Sequence, residues 1–403
     1  MTDERPRLLI VGGSHAEIPM IDAAHRLGYH VTTTGNRPGD LGHAHADGWV
    51  DTDFSDREAI RSLAARLEVS GIVSGCNDFA SLSTAYAAEA LGLPGHDSHA
   101  NALRIHHKDR FRHLLTELKL PTPRSAVARS LDDAREICTQ VGFPCIVKPV
   151  DLTGGKGISK CGTLDELAGA FESGMALTRE SYLVVEQFLV GTHHGFTCFV
   201  TAGRVGFWFA DDEQYFRNPY LVSGTTTPTS MPPSAIEELI NAVELIAAHL
   251  DLVDGLMHVQ CINTADGPRI TELCRRCPGD LYPDFVRLST GFDYANAVVS
   301  AELGLPIEGS HPQQAGRYIT RHCLMATREG VLQGISLNAE LQQHRIGEML
   351  WWTAGQEVTN HLSDKFGIVF FGFDTAAQMR ATTRDLPDRI LIDIVDPGQK
   401  SLR

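Results

Sequence analysis

The sequence predicts a multidomain protein of mixed α/β and α+β class: a doubly wound parallel-sheet domain first, a central domain built round a glycine-rich loop, and a small β-rich domain last. Three observations predict it. Strand and helix patterns alternate through the first ~120 residues. A proline-bearing stretch, Leu120-Pro121-Thr122-Pro123-Arg124, then interrupts them, and from Ala315 the pattern turns to strands again. At 403 residues the chain is too long for one ordinary core. The expected domains are 1–119, 120–311 and 312–403.

In the first domain Arg7–Val11 reads as a strand, Gly12-Gly13-Ser14 as a turn, and His15–Leu27 as a helix closed by Gly28. His30–Thr34, Trp49–Asp51 and Gly71–Ser74 are the next strands, with helices at Asp56–Leu67 and Phe79–Leu91. That alternation specifies a parallel sheet. The run GGSHAE lacks the GxGxxG spacing, and the second strand leads into Thr34-Gly35-Asn36 with no acidic residue at its end, which argues against a nicotinamide cofactor. A helical stretch is expected over His99–Leu118, ahead of the proline linker.

Beyond the linker, Ser130–Val141 is a helix with Ser130 as cap and Asp132 and Asp133 in its first turn. The apolar strand Cys145–Lys148 ends at Pro149 and delivers Lys148 to the mouth of a cleft. Gly154, Gly155 and Gly157 follow, permitting turns that aim several N–H groups at one anion, with Lys156 adding charge. The spacing is not that of a Walker A loop. A helix at Thr163–Met175 precedes the apolar strand Tyr182–Glu186. The C-terminal part reads as strands Gly316–Ala326, Ile346–Trp352 and Lys365–Phe373, a helix Thr375–Leu386 and a strand Arg389–Ile394.

Taken in order, Lys108, Lys148, the glycine loop, YLVVEQFLVG (Tyr182–Gly191) and the paired strands of Gly255–Asp280 resemble the ATP-grasp superfamily. The nearest likeness is to carboxylate–amine ligases of the L-amino-acid ligase and carnosine synthase type, with formyl-transferring and carboxylating purine enzymes further off. The resemblance implies the ATP-grasp fold, and ATP and Mg²⁺ as cofactors. It places Lys108 and Lys148 on phosphate oxygens, the carboxylate of Glu186 on the adenine amino group, and the backbone of Phe188 and Leu189 along the base edge. His193 and His194 stand where many relatives carry an acidic residue for the ribose. In the hairpin Leu256–Leu273, the turn at Ala265-Asp266-Gly267 can bring Gln260 and Glu272 into register, and two facing oxygen ligands suit a Mg²⁺ that also takes phosphate and water. Most relatives have Glu where this chain has Gln260, and Asn where it has Cys274, so Glu272 is expected to be the principal ligand.

Arg276 matches the family arginine that stabilises the acyl phosphate and tetrahedral intermediate, and with Lys148 is expected to be catalytic. Arg275, Gly279 and Asp280 then suggest a substrate anion site. Asp211–Pro233, rich in Pro, Thr and aromatics, is expected to be a lid whose Tyr215, Phe216, Arg217 and Tyr220 recognise the acid. Arg321 lies on a strand where it can hold a carboxylate or form an interdomain salt bridge.

The expected activity is therefore ligation of a carboxylic acid, an amino acid or related metabolite, to an amine through an acyl phosphate, releasing ADP and phosphate. Transfer of formate or bicarbonate to a purine-type amine, and nucleotide-dependent regulation without turnover, are the other readings. A net charge of −15 argues against nucleic-acid or membrane-surface partners, and no run of 18 apolar residues occurs. A cytoplasmic protein is expected. Resembling proteins are commonly dimers, so a homodimer is the expected assembly. Nine scattered cysteines read as reduced buried thiols, and the one CxxC, Cys274 to Cys277, lacks the second pair of a zinc ribbon.

Overall fold

The computed structural model describes residues 4–152, 154–309 and 317–396. The chain divides into two compact units. The first takes the chain up to Phe209, then Met231–Arg287, then the stretch from Gly291; the second takes Ala210–Ser230, Leu288–Thr290 and the C-terminal stretch.

The first unit opens with strands β1 (Arg7–Val11), β2 (His30–Gly35), β3 (Gly48–Asp51) and β4 (Gly71–Ser74), all parallel in the order β3-β2-β1-β4. Leu8, Leu9, Ile10 and Val11 are all fully buried, as expected of a parallel strand covered on both faces. Helices α1 (Ile18–Arg26), α2 (Arg57–Leu67) and α3 (Asp78–Leu91) connect them. Asp56 and Asn77 cap α2 and α3 by accepting from backbone N–H groups of the first turn. Helix α1 begins three residues later than expected. Ser14 and Glu17 form a capping box round a short 3₁₀ turn at His15–Glu17, and Pro19 sits in the first turn of α1 proper.

The helical stretch expected over His99–Leu118 consists of two helices, α4 (His99–His106) and α5 (Lys108–Glu117). His107 between them is extended, at φ −87° and ψ 122°. A tertiary bond accounts for the break: the Lys108 amide donates to Val150 O at 3.3 Å rather than continuing the helical ladder. Propensity alone cannot show that.

Next come β5 (Ser125–Ala128), α6 (Leu131–Val141), β6 (Cys145–Pro149), β7 (Ser159–Cys161), α7 (Leu164–Leu177) and β8 (Leu183–Gln187). The strands form an antiparallel sheet ordered β5-β8-β6-β7, and Ile137, Val141, Val147, Leu167, Leu183 and Val185 fill the layer between it and the two helices. Then follow β9 (Thr192–Thr201), β10 (Arg204–Gln214), β11 (Gly224–Thr227) of the second unit, α8 (Pro233–Leu250), and the hairpin β12 (Gly255–Thr264) and β13 (Gly267–Cys274). Strand β12 is antiparallel to both β9 and β13. Helices α9 (Tyr282–Thr290) and α10 (Tyr294–Glu302) follow.

In the second unit the end of β10 pairs with β11, β11 with β14 (Tyr318–Leu324), and β14 with β18 (Gly367–Phe373), all antiparallel. Between β14 and β18 run β15 (Gly330–Leu337), α11 (Ala339–His344), β16 (Arg345–Leu350), which pairs with β18, and β17 (Glu357–Val358). Helices α12 (Ala376–Arg384) and α13 (Leu386–Arg389) lead to β19 (Ile390–Val395), which flanks β15 opposite β17. Leu332, Leu341, Phe366, Phe371, Met379 and Leu386 form its core.

The segment Asp211–Pro233 is not a free lid. Asp211–Gln214 completes β10, and Gly224–Thr227 is a strand buried at all four positions, so only the connection between them and residues 228–232 are loop. The expected domain boundary at 311/312 and the expected strand start at Gly316 lie outside the described residues. Among the described residues no helix is long and apolar enough to cross a membrane.

Candidate functional site

Strand β6 carries Lys148 beside β8, where Ile146 pairs with Glu186 and Lys148 with Val184. Lys148 and Glu186 are thus diagonal neighbours on one face of the antiparallel pair. Lys148 Nζ donates to Glu186 Oε2 at 2.7 Å, and Arg112 Nε of α5 donates to the other oxygen, Oε1, at 2.8 Å. All three are buried. Burial brings the Lys148 ammonium down to about 8 despite the attraction of Glu186. Burial opposes the Glu186 carboxylate too, but Arg112 and Lys148 together override it and hold it at about 2.

This adds a role to the one expected of Glu186. Each of its oxygens already accepts from a cation, so its carboxylate acts first as counter-ion to Lys148 and Arg112. Arg112 also donates from Nη2 to Thr271 O at 2.6 Å, tying the cluster to β13 one residue before Glu272. Lys108, first in α5 and buried, donates from Nζ to Leu152 O at 2.6 Å, at the entry to the glycine loop. There Gly154, Gly155 and Gly157 all take positive φ, at 66°, 74° and 71°, which is why glycine is required. Lys156 is exposed on the same turn. Thr153 lies outside the described residues.

After β8, Phe188 and Leu189 are half-buried, and Lys160 Nζ stands 4.0 Å from the centre of the Phe188 ring. The two histidines on β9 separate. His193 is half-buried, and burial lowers its imidazole below the usual range, leaving a neutral ring that can bond a hydroxyl. His194 points the other way, fully buried, with Nε2 2.6 Å from Thr192 Oγ1, so it is a core residue rather than a ribose contact.

The hairpin and β9 build a ladder. Gln260 of β12 is opposite both Gly195 of β9 and Glu272 of β13, and His258 is opposite Thr197 and Cys274. Partners in register share a face, so Gln260 and Glu272 present an amide and a carboxylate oxygen side by side above Gly195. Cys274 is on that face too, but burial pushes its thiol up to about 12, which keeps it protonated and a poor partner for a hard cation. Among the described residues no three His, Cys, Asp or Glu side chains cluster as a metal cage. One carboxylate and one amide fit Mg²⁺, which completes its octahedron with phosphate and water.

Arg276 donates from Nε to Asp78 Oδ1 at 2.9 Å, and the same carboxylate lies 3.1 Å from Nδ1 of buried His106. Burial would raise Asp78, but Arg276, then His106 and Lys108, hold it well below the carboxylate range. Arg275 is not an open anion site. Its Nε donates to Asp97 at 2.7 Å, and its other nitrogens to Leu256 O at 2.9 Å and Val253 O at 2.7 Å. Gly279 and Asp280 follow in a half-buried bend, with Asp280 at φ 57° and its carboxylate 3.7 Å from His15 Nε2.

In the second unit Tyr215 donates its hydroxyl to Glu213 at 2.6 Å, and buried Arg321 donates from Nε to Thr225 Oγ1 at 3.1 Å. Arg112, Asp78 and His106 escape sequence reading. Only the placement of Arg112 four residues after Lys108, on one helix face, hints at the first of them.

The chain is similar to several known proteins. Residues 107–195 match the family described as the carbamoyl-phosphate synthase L chain, ATP binding domain. The chain is 27% identical over 323 residues to a formate-dependent phosphoribosylglycinamide formyltransferase of Paraburkholderia xenovorans, covering 77% of this chain and 78% of the relative. A protein of the same name from Burkholderia thailandensis is 31% identical over 190 residues, 45% of this chain and 46% of the relative. Among solved structures, an L-amino acid ligase from Bacillus licheniformis aligns with a TM-score of 0.83 at 20% identity, covering 98% of this chain and 100% of that one. A phosphoribosylglycinamide synthetase from Anaerococcus prevotii aligns at 0.76 and 20% identity, covering 97% and 100%.

Proposed function

The chain belongs to the ATP-grasp superfamily of ATP-dependent, ADP-forming ligases, and we propose that its reaction joins a small carboxylic acid to an amine through an acyl phosphate. One observation carries this reading: a single arginine, Arg112, bonds the counter-ion of the phosphate-side lysine and the backbone beside the metal-side carboxylate. Nucleotide and metal ligands are thereby held by one buried network.

The loop N–H groups, Lys148 and Lys108 orient the polyphosphate. Glu272 and Gln260 would hold Mg²⁺, which when bound would supply charge neutralisation at the phosphate oxygens. The acid's carboxylate oxygen attacks the γ-phosphorus, and ADP leaves. The amine then attacks the acyl carbon, loses a proton, and phosphate departs. Arg276, aimed by Asp78, stabilises the charge on the acyl phosphate and the tetrahedral adduct. No nucleophilic side chain takes part; positioning and charge neutralisation suffice.

The sequence relatives favour a second reading within this chemistry, in which the acid is formate and the amine belongs to a phosphoribosyl compound, because proteins named for that reaction align over 77% of this chain. The L-amino acid ligase likeness, at 20% identity, speaks for the fold. Incubating the protein with Mg·ATP, pooled small acids including formate, and pooled amines, and weighing the products, separates the two readings. An amine-dependent mass equal to acid plus amine minus water names the substrates. ADP release that needs no acid overturns the ligase reading.

A further inference from the structure

Four side chains from three parts of the first unit form one chain of contacts. Asp78 opens α3, His106 ends α4, and Arg276 follows β13. Asp78 Oδ1 accepts from Arg276 Nε at 2.9 Å and lies 3.1 Å from His106 Nδ1. His106 Nε2 in turn lies 3.3 Å from Oγ of Ser81, which sits further along α3. The His106 side chain is 1% exposed and that of Asp78 8%, so solvent does not compete for these contacts. Burial opposes the Asp78 carboxylate, but Arg276, then His106 and Lys108, hold it well below the usual carboxylate range, so it stays ionised and can only accept. The proton between carboxylate and ring therefore sits on Nδ1, and in the neutral ring Nε2 is left to accept the Ser81 hydroxyl.

Serine, histidine and aspartate in this order are also the parts of a hydrolytic triad. Two observations argue against that use here. Ser81 is only 6% exposed, and its amide donates to Asn77 O at 3.1 Å within the helix, so that N–H cannot hold an oxyanion beside the hydroxyl. The carboxylate end of the chain, moreover, is committed to Arg276. Arg276 Nη1 donates to Cys277 O at 3.3 Å, so Nε and Nη1 are both engaged and Nη2 is left for an anion. We propose that His106, backed by Ser81, is a positioning residue for the reaction: through Asp78 it fixes the guanidinium of Arg276 where the acyl phosphate forms. This rests on the ligase reading. A carboxylate with a single partner can turn about its own side-chain bonds and let the arginine drift, whereas one clamped between two donors cannot. A displacement of ~1 Å at a catalytic group costs ~10²-fold in rate.

The test compares three variants of the full chain, each checked by thermal melting. His106→Phe keeps a ring without its N–H, His106→Asn returns an N–H near the place of Nδ1, and Ser81→Ala removes the hydroxyl. In the Mg·ATP ligation assay His106→Phe should lower kcat about 10-fold or more while the affinity for ATP stays within about 2-fold of wild type. His106→Asn should recover part of the loss, and Ser81→Ala should lower kcat by a smaller factor. A second readout needs no turnover. With ¹⁵N-labelled arginine, the Arg276 Nε–H resonance is identified by its loss in Arg276→Lys, and its proton should exchange with water about 10-fold or more faster in His106→Phe than in wild type. If no form of the protein joins an acid to an amine and the exchange still quickens, the ligase reading fails and the positioning chain stands. Should His106→Phe not fold, Ser81→Ala carries the comparison, with a smaller quickening of the same resonance expected. Unchanged exchange in the folded variant, or activity lost only through weaker ATP binding, overturns the proposal.

Discussion

At Lys148, burial and function pull against each other. The ammonium must stay charged to hold a polyphosphate, yet burial has brought it down to about 8. The free protein therefore loses this proton as pH rises through about 8, and the affinity for ATP should fall with it, by up to ~10-fold per pH unit until the bound form also deprotonates. Lys148→Arg, which cannot deprotonate, should flatten the profile between pH 7.5 and 9. An ATP affinity independent of pH in the wild-type protein would show that Lys148 does not face the nucleotide. The placement of Lys148 was legible in the sequence because the apolar run before it and Pro149 after it mark the end of a strand. Arg112, Asp78 and His106 were not, since their importance rests on partners 74, 198 and 28 positions away in the chain. Arg275 was misread for the opposite reason: its neighbour Arg276 suggested an anion site, and only the fold brings Asp97 within 2.7 Å.

Elements were legible where a local signal sets them. The β12–β13 hairpin followed from its turn residues, and α6 from its cap and acidic first turn. Their detail was not legible where a tertiary bond interrupts a helical stretch, as at His107, and they were misread where polar strands are buried, as in β11, whose Gly-Thr-Thr-Thr sequence resembles a loop. One such tertiary bond makes a prediction about how elements are held together. Glu302, near the end of α10, accepts from the Ser74 amide at the end of β4, and burial raises its carboxyl to about 8. The native state thus holds this proton more tightly than the unfolded chain, so the residue's contribution to stability is present at low pH and is lost as pH rises from about 4.5 toward 8. Glu302→Gln keeps the acceptor without the ionisation. Its melting temperature should therefore gain on the wild type steadily from pH 5 to pH 8. A constant difference across that range would mean that Glu302 is ionised in the folded protein.

For the whole molecule, composition and order of motifs were enough to reach the fold class, because a net charge of −15, the absence of a long apolar run and the sequence of lysine, glycine loop and hairpin leave few alternatives. The acid and the amine were not reachable that way. Specificity depends on which cations and donors remain uncommitted after folding, and the structure divides them differently from the sequence: Arg275 and Arg276 are paired with aspartates and Tyr215 with Glu213. The central claim, that a carboxylate is activated by phosphorylation, has a direct measurement. Once the acid is identified, it is supplied with ¹⁸O in its carboxyl group, together with Mg·ATP and the amine, and the released phosphate is weighed. One ¹⁸O per phosphate is predicted, because the oxygen that attacks the γ-phosphorus leaves with it. Product formed with unlabelled phosphate would contradict an acyl phosphate.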